Sequence, residues 1–177
     1  MKLEREKKRV LRKQIPTPTS ITCGTENDAS LGCQFYELEG GEMATFFTAR
    51  KVHEGHVGIM HGGLSGSVLD ELMGRSTLSY CDENQEDWIP RYMTAEMTVK
   101  YKKPIRTGQT IYGFGRVERK EGRCCFTSSE LVNEDMEIVA MATGVFVEVK
   151  TPKAELPEYV ERGKNRQKIS ENDPKVL

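Results

Sequence analysis

The stretch His61-Gly62-Gly63-Leu64-Ser65-Gly66-Ser67-Val68-Leu69-Asp70-Glu71-Leu72-Met73-Gly74 reads as the opening of a helix. Leu64, Val68, Leu69, Leu72 and Met73 fall on one broad stripe at about 100° per residue, the period of a helix with one buried side. Asp70 projects from the other side, where its neighbours are Gly63, Gly66, Ser67 and Gly74. A glycine inside a helix costs about 0.5–1 kcal/mol relative to alanine, so this cluster implies close approach. A partner helix, a surrounding sheet or a substrate would each meet that description.

The helix start carries chemistry of its own. Its first N–H groups lack intrahelical partners and sit at the positive end of the dipole, which suits a negative oxygen. Gly62 and Gly63 expose those amides without a side chain in the way. Donors of this kind beside a carboxylate meet two needs of ester or thioester hydrolysis: the amides hold the oxyanion, and the acid activates water or attacks the carbonyl. A helix with a Gly-Gly start and one solvated Asp has the same pattern, so the run alone leaves both readings open.

Around the helix the sequence alternates in the manner of strands. Gln34–Glu39 and Glu42–Ala49 meet at Gly40-Gly41, a hairpin signal. Arg50 to Met60 reads as a loop rich in Gly and His, and the helix is expected from His61 to Ser79. After an acidic loop, Cys81 to Arg91, come Tyr92–Lys102, Thr110–Lys120, Arg123–Asn133 and Met136–Val149, all with strand character. The nearly continuous apolar run Ile138–Val147 is expected to be a central strand. Two strands, one long helix and four strands make an α+β design with the helix packed on an antiparallel sheet.

Residues 1–20 form a charged N-terminal extension, with a short surface helix expected over Met1–Gln14; residues 151–177 form a charged tail expected to be peripheral or partly disordered. Between them, residues 21–150 are one globular pattern. The 177 residues carry a net charge of −1, which offers no general field for nucleic acid or a membrane. No run is long and apolar enough to span a bilayer, so a cytoplasmic protein is expected. Five cysteines, with no CxxC spacing, read as reduced thiols.

The element order and the HGG-x6-D run together resemble the PaaI-type hotdog-fold thioesterases, in which a curved antiparallel sheet wraps one long helix. The lead-in His53-Glu54-Gly55-His56-Val57-Gly58-Ile59-Met60-His61-Gly62-Gly63 looks like the family's "HxGxxGxxHGG". The run from Met93-Thr94-Ala95 to Tyr101-Lys102-Lys103-Pro104 is similar to its "TAxLxxxYxxP" strand. The resemblance covers roughly Cys23 to Val149. It implies hydrolysis of an acyl-CoA thioester with no cofactor, since coenzyme A belongs to the substrate. It further implies Asp70 as base or nucleophile, the Gly62 amide on the thioester oxygen, His61 shaping that site, Gly63 beside it, and Thr94 holding the water. A homodimer with the site between protomers, or a dimer of dimers, is implied as well. Where several members carry an Asn, this chain has Gly55, so either His53, Glu54 or His56 takes over that role or substrate positioning differs.

Other residues admit two readings. His53, His56 and His61 lie within nine residues, but no Cys or carboxylate joins them at a metal-ligand spacing, so they are read as loop histidines near a pocket, with His53 and His56 on the substrate side and no metal. Lys100, Lys102 and Lys103 are a solvated face or, as the resemblance implies, hold CoA phosphates. Glu71, turned away from Asp70 by one helix step, is expected to be structural or solvent-facing. A non-catalytic hotdog module that binds acyl-CoA is the alternative, against which Asp70 stands. A hydratase of the same fold would carry an Asp-x4-His motif, which is missing.

Overall fold

The amphipathic run forms α1, Gly62–Ser76, followed by a 3-10 turn, Thr77–Tyr80, in a computed structural model that describes residues 1–80, 88–152 and 166–177. Four of the five stripe residues are fully buried, Val68, Leu69, Leu72 and Met73 each being 0% exposed, and Leu64 is partly buried. Burying a side chain of this size is worth about 1.5–3 kcal/mol, so this stripe is what fixes the helix to the rest of the molecule.

That partner is an eight-stranded antiparallel sheet. Its strands are β1 (Val10–Gln14), β2 (Gln34–Leu38), β3 (Met43–Thr48), β6 (Trp88–Tyr101), β7 (Thr110–Glu121), β8 (Cys124–Val132), β9 (Ile138–Pro152) and β10 (Arg166–Gln167). The spatial order is β10-β1-β2-β3-β7-β8-β9-β6. The helix therefore carries the chain from β3 across one face to the far edge, and β7, β8 and β9 fill the space between. It touches β3, β6, β7, β8 and β9, so the sheet wraps it. This is the expected α+β hotdog architecture.

Glycines on the sheet make the approach close. A Cβ at Gly115 would lie 2.8 Å from Leu72 Cβ, and one at Gly113 would lie 2.7 Å from Leu72 Cδ1. On the helix, a Cβ at Gly74 would meet the Phe146 ring at 3.1 Å. The small residues of the helix are thus approached by the chain's own sheet. Ser129 adds a hydrogen bond from its hydroxyl to the Leu69 carbonyl, 3.0 Å.

Several local expectations are revised. Arg50–Met60 is no plain loop: a 3-10 turn, Lys51–His53, leads into a small hairpin of β4 (Glu54–His56) and β5 (Ile59–Met60). Gly40 and Gly41 do turn the β2–β3 hairpin, both with positive φ. Strand β9 is central as expected, lying between β8 and β6.

The first fourteen residues are not a surface helix. Their last five form β1, which pairs with β2, and Val10 is buried. The cause is a second apolar layer on the outer sheet face, built by Tyr36, Leu38, Ala44, Phe114, Val132 and Ile138. Leu3, Ile169 and Leu177 pack on it, and Lys8 and Leu177 exchange both backbone hydrogen bonds. An extended segment covers a flat apolar face and completes its edge pairing together, which an isolated charged helix would not do.

Candidate active site

The helix N-terminus is held by two rings. His61 is the N-cap, and its Nδ1 accepts the Gly63 N–H at 2.9 Å. An accepting Nδ1 places the neutral ring's proton on Nε2. From the last residue of β6, the Tyr101 hydroxyl donates to the Gly62 carbonyl at 3.0 Å. The Gly63 amide is therefore taken, whereas the Gly62 N–H makes no hydrogen bond among the described residues.

Two turns further on, Asp70 accepts a 2.7 Å hydrogen bond from the Thr94 hydroxyl on Oδ1. Burial raises the Asp70 pKa above the ordinary carboxylate value, and the Glu71 charge adds to that; the Thr94 hydrogen bond pulls the other way. A half-buried carboxyl with one donor and one free oxygen can take a proton from water or attack a carbonyl carbon.

Thr94 and Tyr101 are seven positions apart, so a regular strand would point them to opposite faces. A bulge between Thr94 and Glu96 changes the parity: Thr94 pairs with Phe146, while Glu96 pairs with the adjacent Val145. Tyr92 before the bulge, and Met97 and Val99 after it, then all pack on the core around the helix. One extra residue, Ala95, lets a single strand supply Thr94 to Asp70 and Tyr101 to Gly62.

The remaining site candidates are distributed unevenly. His53 is 1% exposed, its Nδ1 accepting the Arg50 N–H at 3.0 Å and its Nε2 lying 3.3 Å from the Ser30 carbonyl. Burial first, and the Arg50 charge second, lower its pKa. His53 serves the site through its main chain, since its carbonyl accepts the His61 N–H at 2.8 Å. Glu54 is engaged by the Thr107 hydroxyl, and His56 is exposed on the hairpin.

No replacement for an Asn at position 55 is visible in these contacts, but the reason for the glycine is. A Cβ there would lie 2.9 Å from His61 Cδ2 and 3.0 Å from His61 Cα, so the His61 ring occupies that space.

Met60, Gly62, Tyr101, Lys102, Ile105 and Val139 are among the residues that line a cleft of about 290 Å³ beside the helix start. Lys102 is exposed at its rim, Lys103 is paired with Glu137 at 2.7 Å, and Lys100 is exposed on β6. Glu71 pairs with Arg75 at 2.7 Å and is structural. Cys125 is fully buried. Trp88's side chain and the acidic segment 81–87 lie outside the described residues. Among the described residues, no three His, Cys, Asp or Glu side chains converge on a point, and no helix is long and apolar enough to cross a membrane.

The sequence profile of the thioesterase superfamily matches residues 57–140, from the hairpin turn through the helix and into β9. Over those residues the chain is similar to the thioesterase superfamily. Acyl-coenzyme A thioesterase THEM4 of Xenopus laevis is 30% identical over 118 residues, 66% of this chain and 50% of that protein. The chain thus spans about half the length of the curated relative it matches.

Among solved structures, the E. coli PaaI protein from the phenylacetic acid degradation operon superposes with a TM-score of 0.61. It is 19% identical, with 72% of this chain and 89% of that one covered. The Streptococcus mutans protein smu.793, solved bound to acetyl-CoA, gives a TM-score of 0.59 at 18% identity, over 67% of this chain and 90% of that one. These likenesses establish a shared fold.

Proposed function

We propose that this protein hydrolyses acyl-CoA thioesters at a site that two copies build together. The observation that carries the reading is the placement of two halves of a hydrolytic site on one helix. The unpartnered Gly62 N–H is the oxyanion donor, and Asp70, tethered by Thr94, is the base or nucleophile. They stand eight positions apart, about 12 Å of helix rise, whereas both groups must lie within about 3 Å of the reacting atoms. A two-fold axis resolves this by bringing Gly62 of one copy to Asp70 of the other.

The edge strand supports such an axis. β6 is 14 residues long and, among the described residues, pairs with β9 alone, its other side having no strand partner there. Met93 and Tyr101 on it are 47% and 57% exposed. A long bare edge with exposed apolar side chains favours pairing with its own copy. The homodimer is the smallest unit with complete sites.

In the reaction, a water oxygen attacks the thioester carbon as Asp70 takes its proton, and the carbonyl oxygen gains charge against the Gly62 amide. The C–S bond then breaks and coenzyme A leaves as the thiol, having regained a proton. His61 shapes the oxyanion site, with Gly63 as its anchor. Lys102 at the cleft rim, and Lys100, are the lysines free to meet CoA phosphates, Lys103 being tied to Glu137. The relative's name, an acyl-coenzyme A thioesterase, and the acetyl-CoA bound to one structural neighbour support this substrate class. A thiol-release assay over a panel of acyl-CoAs tests it: turnover of at least one member is expected, and turnover of none overturns it.

A further inference from the structure

We propose that Tyr101 is a positioning residue which, with His61, clamps the Gly62–Gly63 peptide and so aims the Gly62 N–H at the thioester oxygen. The inference rests on the reading that this N–H is the oxyanion donor, and adds what holds it in place.

Both polar ends of one peptide plane are gripped by side chains. Its C=O accepts from the Tyr101 hydroxyl at 3.0 Å, and its N–H donates to His61 Nδ1 at 2.9 Å. A peptide is planar, so fixing both ends fixes its orientation and with it ψ of Gly62. That constraint has a purpose at this position. Two successive glycines have more backbone freedom than any other pair, and at a helix start few hydrogen bonds restrain them. The Gly62 N–H itself belongs to the preceding peptide, whose His61 carbonyl accepts the Leu64 N–H at 3.0 Å; with the planes on both sides of Gly62 held, its N–H is a donor already aimed, as an oxyanion hole requires.

The spacing around the two rings fits the same role. A Cβ at Gly63 would stand 2.9 Å from His61 Nδ1, and one at Gly55 would stand 2.9 Å from His61 Cδ2. One at Gly62 would meet the Tyr101 ring at 3.4 Å. Gly55 and Gly63 make room for the imidazole, while at Gly62 a Cβ would rest in ordinary contact with the phenol. The Tyr101 hydroxyl bonds a helical carbonyl, at a face it reaches only because of the bulge at Ala95.

The test is Tyr101→Phe in the full chain, which keeps the ring and deletes the hydroxyl. On an acyl-CoA that the wild type turns over, kcat should fall about 2–10-fold, the effect of one lost hydrogen bond, with KM and the thermal midpoint nearly unchanged. The Gly62 and Gly63 amide signals in a 1H–15N spectrum should move. Gly55→Ala, which pushes His61 off the other end, should reproduce the kcat loss and move the Gly63 signal.

Unchanged kcat in a folded Tyr101→Phe protein overturns the clamp, as does a loss that merely tracks unfolding. If the wild type hydrolyses no acyl-CoA, the functional reading fails separately. The clamp is then decided by the amide signals: movement in Tyr101→Phe supports it, and signals that stay in place refute it.

Discussion

Replacing Asp70 by Asn removes one charge and almost no volume. The Asn Oδ1 can still accept the Thr94 hydroxyl that lies 2.7 Å from the aspartate, so the local shape is retained. What is lost is the ability to take a proton from water or to attack a carbonyl. General-base contributions run to about 10²–10⁴-fold, or roughly 3–5 kcal/mol of barrier, so kcat should fall by at least about two decades. KM should change much less, because CoA contacts lie away from the thioester.

Stability should move the other way. Burial raises the Asp70 pKa in the folded chain, so its contribution to stability is fully present below the ordinary carboxylate pKa and is lost as pH rises through the folded value. At neutral pH the ionised group therefore opposes folding, and Asp70→Asn should melt at the same temperature as wild type or higher, the gain disappearing in acid. Steady-state thiol release and thermal melts on one preparation read both quantities. Near-wild-type kcat in the folded variant would refute the reasoning, and so would a kcat loss that tracks a lowered melting point.

Gly62→Pro removes the proposed oxyanion donor at a position where proline is tolerated: it is the first helical residue, and His61 before it is already extended at ψ 129°. Loss of one such donor should lower kcat by about 10²–10³-fold with the fold intact by circular dichroism. Thr94→Ala deletes the hydrogen bond that lowers the Asp70 pKa, so the acidic limb of the kcat/KM profile, already above the ordinary carboxylate range, should move to higher pH. Lys102→Ala should raise KM more than Lys103→Ala, since Glu137 already holds Lys103, and the difference should shrink in high salt.

Much of the helix was legible because its signals are local. The stripe of Val68, Leu69, Leu72 and Met73 and the Gly-Gly start lie within one short run. The Gly40-Gly41 hairpin was legible for the same reason. Strand pairing was less so, because β6 could have paired with β7 next in sequence. Instead it pairs with β9, which begins about forty residues further along the chain, beyond the reach of local pairing signals. The N-terminal segment was misread as helical because the apolar face that recruits it, including Tyr36 and Phe114, lies far along the chain.

At the site, Asp70 and Thr94 were indicated, through the resemblance, and the structure brings them together. Tyr101 was quoted in a motif but given no role. Its approach to Gly62 depends on a bulge that alternation of apolar residues conceals. Gly55 looked like a missing Asn, and only the His61 ring packed on it shows why a side chain does not fit. His53, placed on the substrate side from sequence, is enclosed by Arg50 and Ser30, partners no spacing rule connects to it.

The shared site is tested most directly by mixing two inactive proteins. Asp70→Asn and Gly62→Pro, unfolded together in equal amounts and refolded, form mixed dimers in half of the cases, each with one intact pairing of Gly62 and Asp70. Thiol release should recover to about a quarter of the wild-type rate. A mixture as inactive as its components would contradict a site built from two copies.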